Sequence, residues 1–205
     1  MKKRYISFCL LLAIGTATVY ANEGIDEAAR TIDQGVVING VRWATRNVDA
    51  PGTFAYHPEN PGMFYQWNRK IGWRATRNVR GWDSSMPTGD TWTRANDPCP
   101  AGWRVPTQAE IQSLDNTYFQ WTNVNDISGG WFTDKNSGNN IFLPAAGWRN
   151  RSGTLGNAGT LGYYWSNTSV DGGTRARTLN FGSTVVGVVG TNRVLGFSVR
   201  CVSDD

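Results

Sequence analysis

Asp97-Pro98-Cys99-Pro100-Ala101-Gly102-Trp103-Arg104-Val105-Pro106-Thr107 is the stretch from which the rest of the chain is read. It sets a cysteine between prolines, then an apolar step led by Trp103, then a proline before a residue suited to start a helix. Thr107 is a good N-cap, and Glu110 lies three residues on, the spacing of a capping box. Ala109, Ile111 and Leu114 supply apolar positions, and the helix is predicted to end near Asn116. Little else in the chain reads as helical.

Downstream the pattern turns to strands. Tyr163–Thr168, Arg175–Phe181, Thr184–Val189 and Phe197–Val202 alternate or are rich in β-formers, and Ile141–Pro144 is a strand end. Upstream, 35–43 (GVVINGVRW) is a hairpin signal, because apolar residues flank Asn39-Gly40, a dipeptide suited to a type I′ turn. Residues 62–67 (GMFYQW) form a short aromatic strand, and 68–96 read as irregular, with Trp73, Trp82 and Trp92. Ala-Thr-Arg-Asn-Val occurs at 44–48 and again at 75–79, too short and too differently flanked for a repeat architecture. The fold class expected is α+β, one clear helix with an antiparallel β core.

The first 21 residues read as a secretory leader. Lys2, Lys3 and Arg4 precede the apolar run Ile6–Ile14, and Val19-Tyr20-Ala21 is a small-residue exit. Residues 22–35 read as a linker, and 36–203 as one domain. Beyond the leader no transmembrane segment is expected, and the predicted location is exported: periplasmic, extracellular or on the outer surface. The whole chain has 20 basic and 16 acidic side chains; without Lys2, Lys3 and Arg4, 17 basic ones remain, a net charge of about +1. So slight an excess argues against a nucleic-acid partner. Of those 17, only Lys70 and Lys135 are lysines.

Cys9 falls in the leader, which leaves Cys99 and Cys201. An exported context and an even count favour a disulfide, with two unpaired buried thiols as the alternative. Closing a loop of roughly 100 residues contributes about 4–5 kcal/mol in the chain-entropy model.

Six phrases carry a family resemblance. They are Gly40-Val41-Arg42-Trp43, the 62–67 strand, Cys99–Thr107 with Glu110, 143–149 (LPAAGWR), 162–168 (GYYWSNT) and 196–202 (GFSVRCV). In this order, over roughly 36–203, the chain resembles the Fibrobacter succinogenes major paralogous domain family of exported bacterial proteins. It is also similar to formylglycine-generating enzymes and to other C-type-lectin-like proteins. That resemblance implies one main helix on a twisted antiparallel sheet, long irregular loops and termini that approach each other. A third similarity, over 164–200, is to the variable segment of proteins diversified by retroelements. It implies interleaved ligand-facing positions at Ser169, Asp171, Thr174, Arg175, Arg177, Ser183, Thr184, Val186, Val188 and Thr191.

Catalytic readings find little footing. Formylglycine-generating chemistry needs a reactive cysteine pair or a copper–thiolate site, and a Cys99–Cys201 disulfide would leave no thiolate. His57, the single histidine, sits in a proline-rich loop and reads as solvated. One histidine and two oxidised cysteines would make no zinc site. The Glu-Pro-Asn and Trp-Asn-Asp phrases of calcium-dependent lectins do not occur. Asp134-x-Asn136-x-Gly138 lacks a distal glutamate and reads as a hairpin turn. No cofactor, metal or catalytic residue is therefore expected. The strongest surface candidates are Arg149, Asn150, Arg151, Tyr163, Asn167, Arg175 and Arg177, because arginine and tyrosine are enriched at binding hot spots; the alternative is an ordinary solvated sheet face. With Ser169, Ser183, Val186, Val188 and Thr191 they compose the expected binding face for a protein or glycan. The expectation is a non-enzymatic, disulfide-tied recognition and adhesion module, with an assembly subunit of a cell-surface complex as the competitor.

Overall fold

The computed structural model describes residues 29–205. The leader, 1–21, and the start of the expected linker, 22–28, lie outside the described residues.

Turn chemistry opens the domain. Asn39 and Gly40, at φ 49° and 81°, take the two left-handed positions of a type I′ turn. They join β1 (Val36–Ile38) to β2 (Val41–Trp43) in an antiparallel hairpin. β2 then pairs with β15 (Val202–Ser203), which pairs in turn with β5 (Trp103–Arg104). One sheet, β1-β2-β15-β5, therefore gathers the beginning, end and middle of the domain. In the disulfide Cys99–Cys201 the second cysteine directly precedes β15 and the first lies four residues before β5, with Cα atoms 6.1 Å apart. The described end of the expected linker is bonded to the domain as well: Asp33 accepts from the Gly35 and Thr45 amides, and the Arg30 carbonyl accepts from the Phe54 amide.

The helix runs over Gln108–Asp115 behind a Thr107 cap, with both halves of the capping box formed. It buries Ile111 and Leu114 in a core shared with Phe132, Ile141, Tyr164, Leu179 and Phe181. That core lies between two regular three-stranded sheets. One is β6 (Tyr118–Val124), β7 (Ile127–Thr133) and β8 (Asn140–Pro144). The other is β11 (Gly162–Val170), β12 (Arg175–Phe181) and β13 (Val186–Asn192).

The fourth sheet has the order β10-β9-β14-β3-β4 and is built of very short strands. These are β3 (Met63–Gln66), β4 (Gly72–Arg74), β9 (Trp148–Arg149), β10 (Leu155–Gly156) and β14 (Gly196–Phe197). Gly147 makes the entry to β9 possible: its φ is +77°, and a Cβ there would lie 2.3 Å from the Gly156 carbonyl oxygen. A second core sits beside this sheet, around Trp67, Trp92, Trp103, Trp165, Phe197 and the buried Cys201.

The α+β, C-type-lectin-like expectation is overturned. Among the described residues the chain is mostly β, with its strands divided over four sheets rather than gathered in one. The helix is eight residues long with two buried side chains, too short to cover a broad sheet. Close-set turns at left-handed residues cut the remaining ladders short.

Candidate functional site

Three arginines are as buried as the tryptophans of the core, and all three belong to the C-terminal half. Each reaches back to hold a loop of the N-terminal half by its carbonyl groups. Arg200 donates to Asn47 Oδ1 through Nε and Nη2, at 2.9 and 2.7 Å, and through Nη1 to the Ala44 and Thr45 carbonyls. Arg149 donates to the carbonyls of Arg74, Thr76 and Arg77, and through Nη1 to Gly153 at 2.6 Å. Arg193 donates to the Pro87, Thr88 and Gly89 carbonyls and to that of Gly173, with its guanidinium 4.0 Å over the Trp67 ring. A buried cation needs compensation, and here carbonyl dipoles supply the direct contacts, with Asp90 acting on Arg193 and Asp33 on Arg200 only at longer range. Burial pushes all three guanidinium groups below their ordinary pKa, Arg200 to about 10, which leaves them charged at neutral pH. The two Ala-Thr-Arg-Asn-Val copies turn out to be two of the three held loops. They differ in conformation: Arg77 is left-handed at φ 61° and Arg46 is not.

Arg193 shapes the candidate site. By holding 87–89 and Gly173 together it lays that loop across the far end of the β11–β12 hairpin. Ser169 Oγ donates to the Asp90 carbonyl, and Thr91 bridges Thr168. Asp90, Asp171, Thr174 and Arg175 are exposed there. Arg175 approaches Asp171 only to 3.9 Å. Arg177, two residues on and so on the same face, is half-buried; its Nε is covered and meets no acceptor. The result is a fixed rim in which carboxylates and hydroxyls can accept hydrogen bonds from a polar ligand and two guanidinium groups can donate them. An open groove of about 420 Å³ runs along the other side of the same loop, where Ile71 and Met86 are exposed beside Lys70.

The structure divides the expected binding face. Arg149 is fully buried and is corrected from surface candidate to loop holder, since its donors are taken up by carbonyls. Arg151 is exposed on the β9–β10 turn. Tyr163 stacks on Phe197 at 5.0 Å and belongs to the second core. Asn167 is half-buried, its amide donating to Pro106 and its Oδ1 accepting from Thr168. Ser183 is exposed on the β12–β13 turn, at the opposite end from Arg175. Val186 and Val188 pack on the first core, and the Thr191 hydroxyl meets that of Thr178 at 2.9 Å. Of the set only Arg175 and Arg177 share a face; Ser169 pairs with Ala176, so it lies on the opposite face of the hairpin end, bonded to the Asp90 carbonyl. Sequence reasoning missed Asp90 and the shaping role of Arg193. The one pointer to the latter is the excess of arginine over lysine, since arginine is the cation that satisfies several planar acceptors at once.

Trp73 and Trp82 pack against each other at 5.1 Å and are half-buried, while Trp92 is buried in the second core. Glu110 serves the cap and pairs with Arg104 at 2.6 Å. Among the described residues no group of three or more His, Cys, Asp or Glu side chains is placed to hold a metal. Among them, too, no helix is long and apolar enough to cross a membrane.

Residues 116–202 match the model of a family described as a domain of unknown function (DUF8237). The match begins at the helix C-cap and takes in both regular sheets, all three buried arginines and Cys201. No curated protein and no solved structure matches the chain.

Proposed function

We propose that this chain is an exported, non-enzymatic recognition module that binds a protein or glycan through the far end of the β11–β12 hairpin. The observation that carries the reading is the hold of Arg193 on two loops at once, because a rim fixed before binding loses little entropy when it meets its ligand. The reading narrows the contact set to Asp171, Thr174, Arg175 and Arg177, with Asp90 from the crossing loop that Ser169 holds. Within it the chain is a relative of the Fibrobacter succinogenes major paralogous family, and diversification is sought at these positions rather than at Val186 or Val188. Purified protein and an Arg175→Ala/Arg177→Ala variant are compared on a glycan array and on bacterial cells. Binding that weakens at least tenfold in the variant supports the assignment. Equal binding by both proteins removes this rim as the site.

A second reading has its own observation. β13 is an edge strand, with Val189 43% exposed and Val185 58% exposed in the turn before it. Unprotected edges of this kind pair with other chains, which favours an assembly subunit. Light scattering separates the two, since edge pairing gives a concentration-dependent oligomer that a Val189→Lys variant abolishes.

A further inference from the structure

The partners of the arginines single out another surface. Among the described residues six arginines meet a carboxylate: Arg30, Arg46, Arg69, Arg94, Arg104 and Arg175. Three are buried on carbonyls, as described above, and Arg42 donates to the Gln34 carbonyl. Five of the described arginines remain, with no carboxylate partner among the described residues, and four of these, Arg74, Arg77, Arg80 and Arg151, are exposed on one lobe.

The geometry of the lobe follows from Arg149 and Gly153. One guanidinium takes the carbonyls of Arg74, Arg77 and Gly153, so the two segments meet at that point. Val79 and Trp82 pack against Gly153 on the same side, where a Cβ would meet them at 3.1 and 2.9 Å, and this brings Arg80 alongside. Arg151 stands two residues from Gly153 in a turn closed by the Asn150 side chain. Neither 60–82 nor 135–170 contains an aspartate or glutamate, so the lobe is built from two acid-free stretches. The Arg77 backbone is held left-handed at φ 61° with its carbonyl fixed 2.7 Å from Arg149.

We infer that this lobe is a second binding surface, separate from the β11–β12 rim, and that its ligand is an anionic polysaccharide. Exposed guanidinium groups without internal partners match carboxylate or sulfate groups with paired hydrogen bonds. Trp73 and Trp82, half-buried beside the arginines, offer a tilted aromatic surface for a sugar ring but not free rings for insertion into lipid. A net charge of about +1 outside the leader gives no long-range field for a nucleic acid.

The test uses purified protein with polygalacturonate, dextran sulfate and neutral dextran, measured by biolayer interferometry at 50 and 200 mM NaCl. Binding to one or both charged polymers, weaker at the higher salt and undetectable on neutral dextran, is the expected result; which polymer binds identifies carboxylate or sulfate as the source. The Arg74→Gln/Arg77→Gln/Arg80→Gln/Arg151→Gln variant is expected to lose at least tenfold in affinity. If that variant does not fold by circular dichroism, Arg80→Gln/Arg151→Gln decides, with at least threefold expected. The Arg175→Ala/Arg177→Ala protein is expected to bind the polymers as wild type, which keeps this surface and the rim distinguishable. Absence of wild-type binding at 50 mM NaCl, a change under twofold in the folded lobe variant, or tighter binding to duplex DNA or anionic vesicles than to either polymer would overturn the assignment.

Discussion

Between residues 118 and 192 most backbone groups meet one another in ladders, whereas between 44 and 96 many are met by side chains from elsewhere. β6–β7 and β12–β13 each pair seven residues in unbroken register. The N-terminal loops instead rest on Arg149, Arg193 and Arg200 and on the Trp165 indole at the Tyr65 carbonyl. A ladder is closed locally by its own turn. A loop satisfied by a guanidinium far along the chain exists only after both halves have packed. The contrast teaches that one half of the domain carries its own order and the other borrows it, and that the borrowed half supplies the loop at the candidate rim and much of the basic lobe.

The largest expected effect comes from removing the covalent link between the halves. Cys99 and Cys201 are 102 residues apart, and opening a loop of that length costs about 4–5 kcal/mol in the chain-entropy model. A Cys99→Ser/Cys201→Ser variant is expected to show this in urea denaturation. A loss under about 1 kcal/mol would mean that the arginines alone join the halves and that the disulfide adds little.

Next comes Arg200→Met. It strips donors from the Asn47 amide and from the Ala44 and Phe142 carbonyls in the interior, and from the partly buried Thr45 carbonyl. Buried acceptors left unpaired cost about 1–3 kcal/mol each, partly relieved by relaxation, so a loss of about 3–5 kcal/mol is expected. Hydrogen exchange sharpens the comparison: amides of 44–55 are expected to lose protection before those of 118–133. Equal loss in both segments would show that the two halves unfold as one unit and that the borrowing is not local. Arg200→Lys should recover less than half of the loss, because an ammonium group cannot span four separated acceptors.

The same division explains what was legible in the sequence. Asn39-Gly40, the Thr107–Glu110 box and the Arg175–Phe181 strand state their structure in adjacent residues, and the chain adopts each as read. The β6–β7 turn was legible too: Asn125 and Asp126 are both left-handed, at φ 48° and 65°, between Val124 and Ile127, a signal passed over when only Asn-Gly is sought. Arg149 was not legible. Its nature fits a surface hot spot and a loop holder equally well, and its acceptors at 74–77 lie more than seventy residues away. For the same reason the rim was half seen: Arg175 and Arg177 follow from strand alternation, while Asp90 arrives from a loop that only Arg193 positions.

The smallest effect probes the helix cap, where the two kinds of order meet. Glu110 accepts from the Thr107 amide and hydroxyl, which is local, and from Arg104 at 2.6 and 2.8 Å, which ties the cap to β5. Burial alone would raise its pKa, but the Arg104 and Thr107 hydrogen bonds outweigh it and hold the carboxyl below its ordinary 4.5. A depressed folded-state pKa gives stability that is present above the unfolded value and lost as pH falls through the folded one. Glu110→Gln is therefore expected to cost about 1 kcal/mol at pH 7, in the range of a lost cap interaction. The difference between wild type and variant should shrink as pH drops below 4.5. Nearby Asp97 moves the opposite way, raised by burial, but it is present in both proteins and largely cancels in that difference. Melting curves from pH 7 to about 3 would check it. A difference that stays constant over that range would assign the cap to geometry alone and remove Arg104 from the energetic link between the helix and β5.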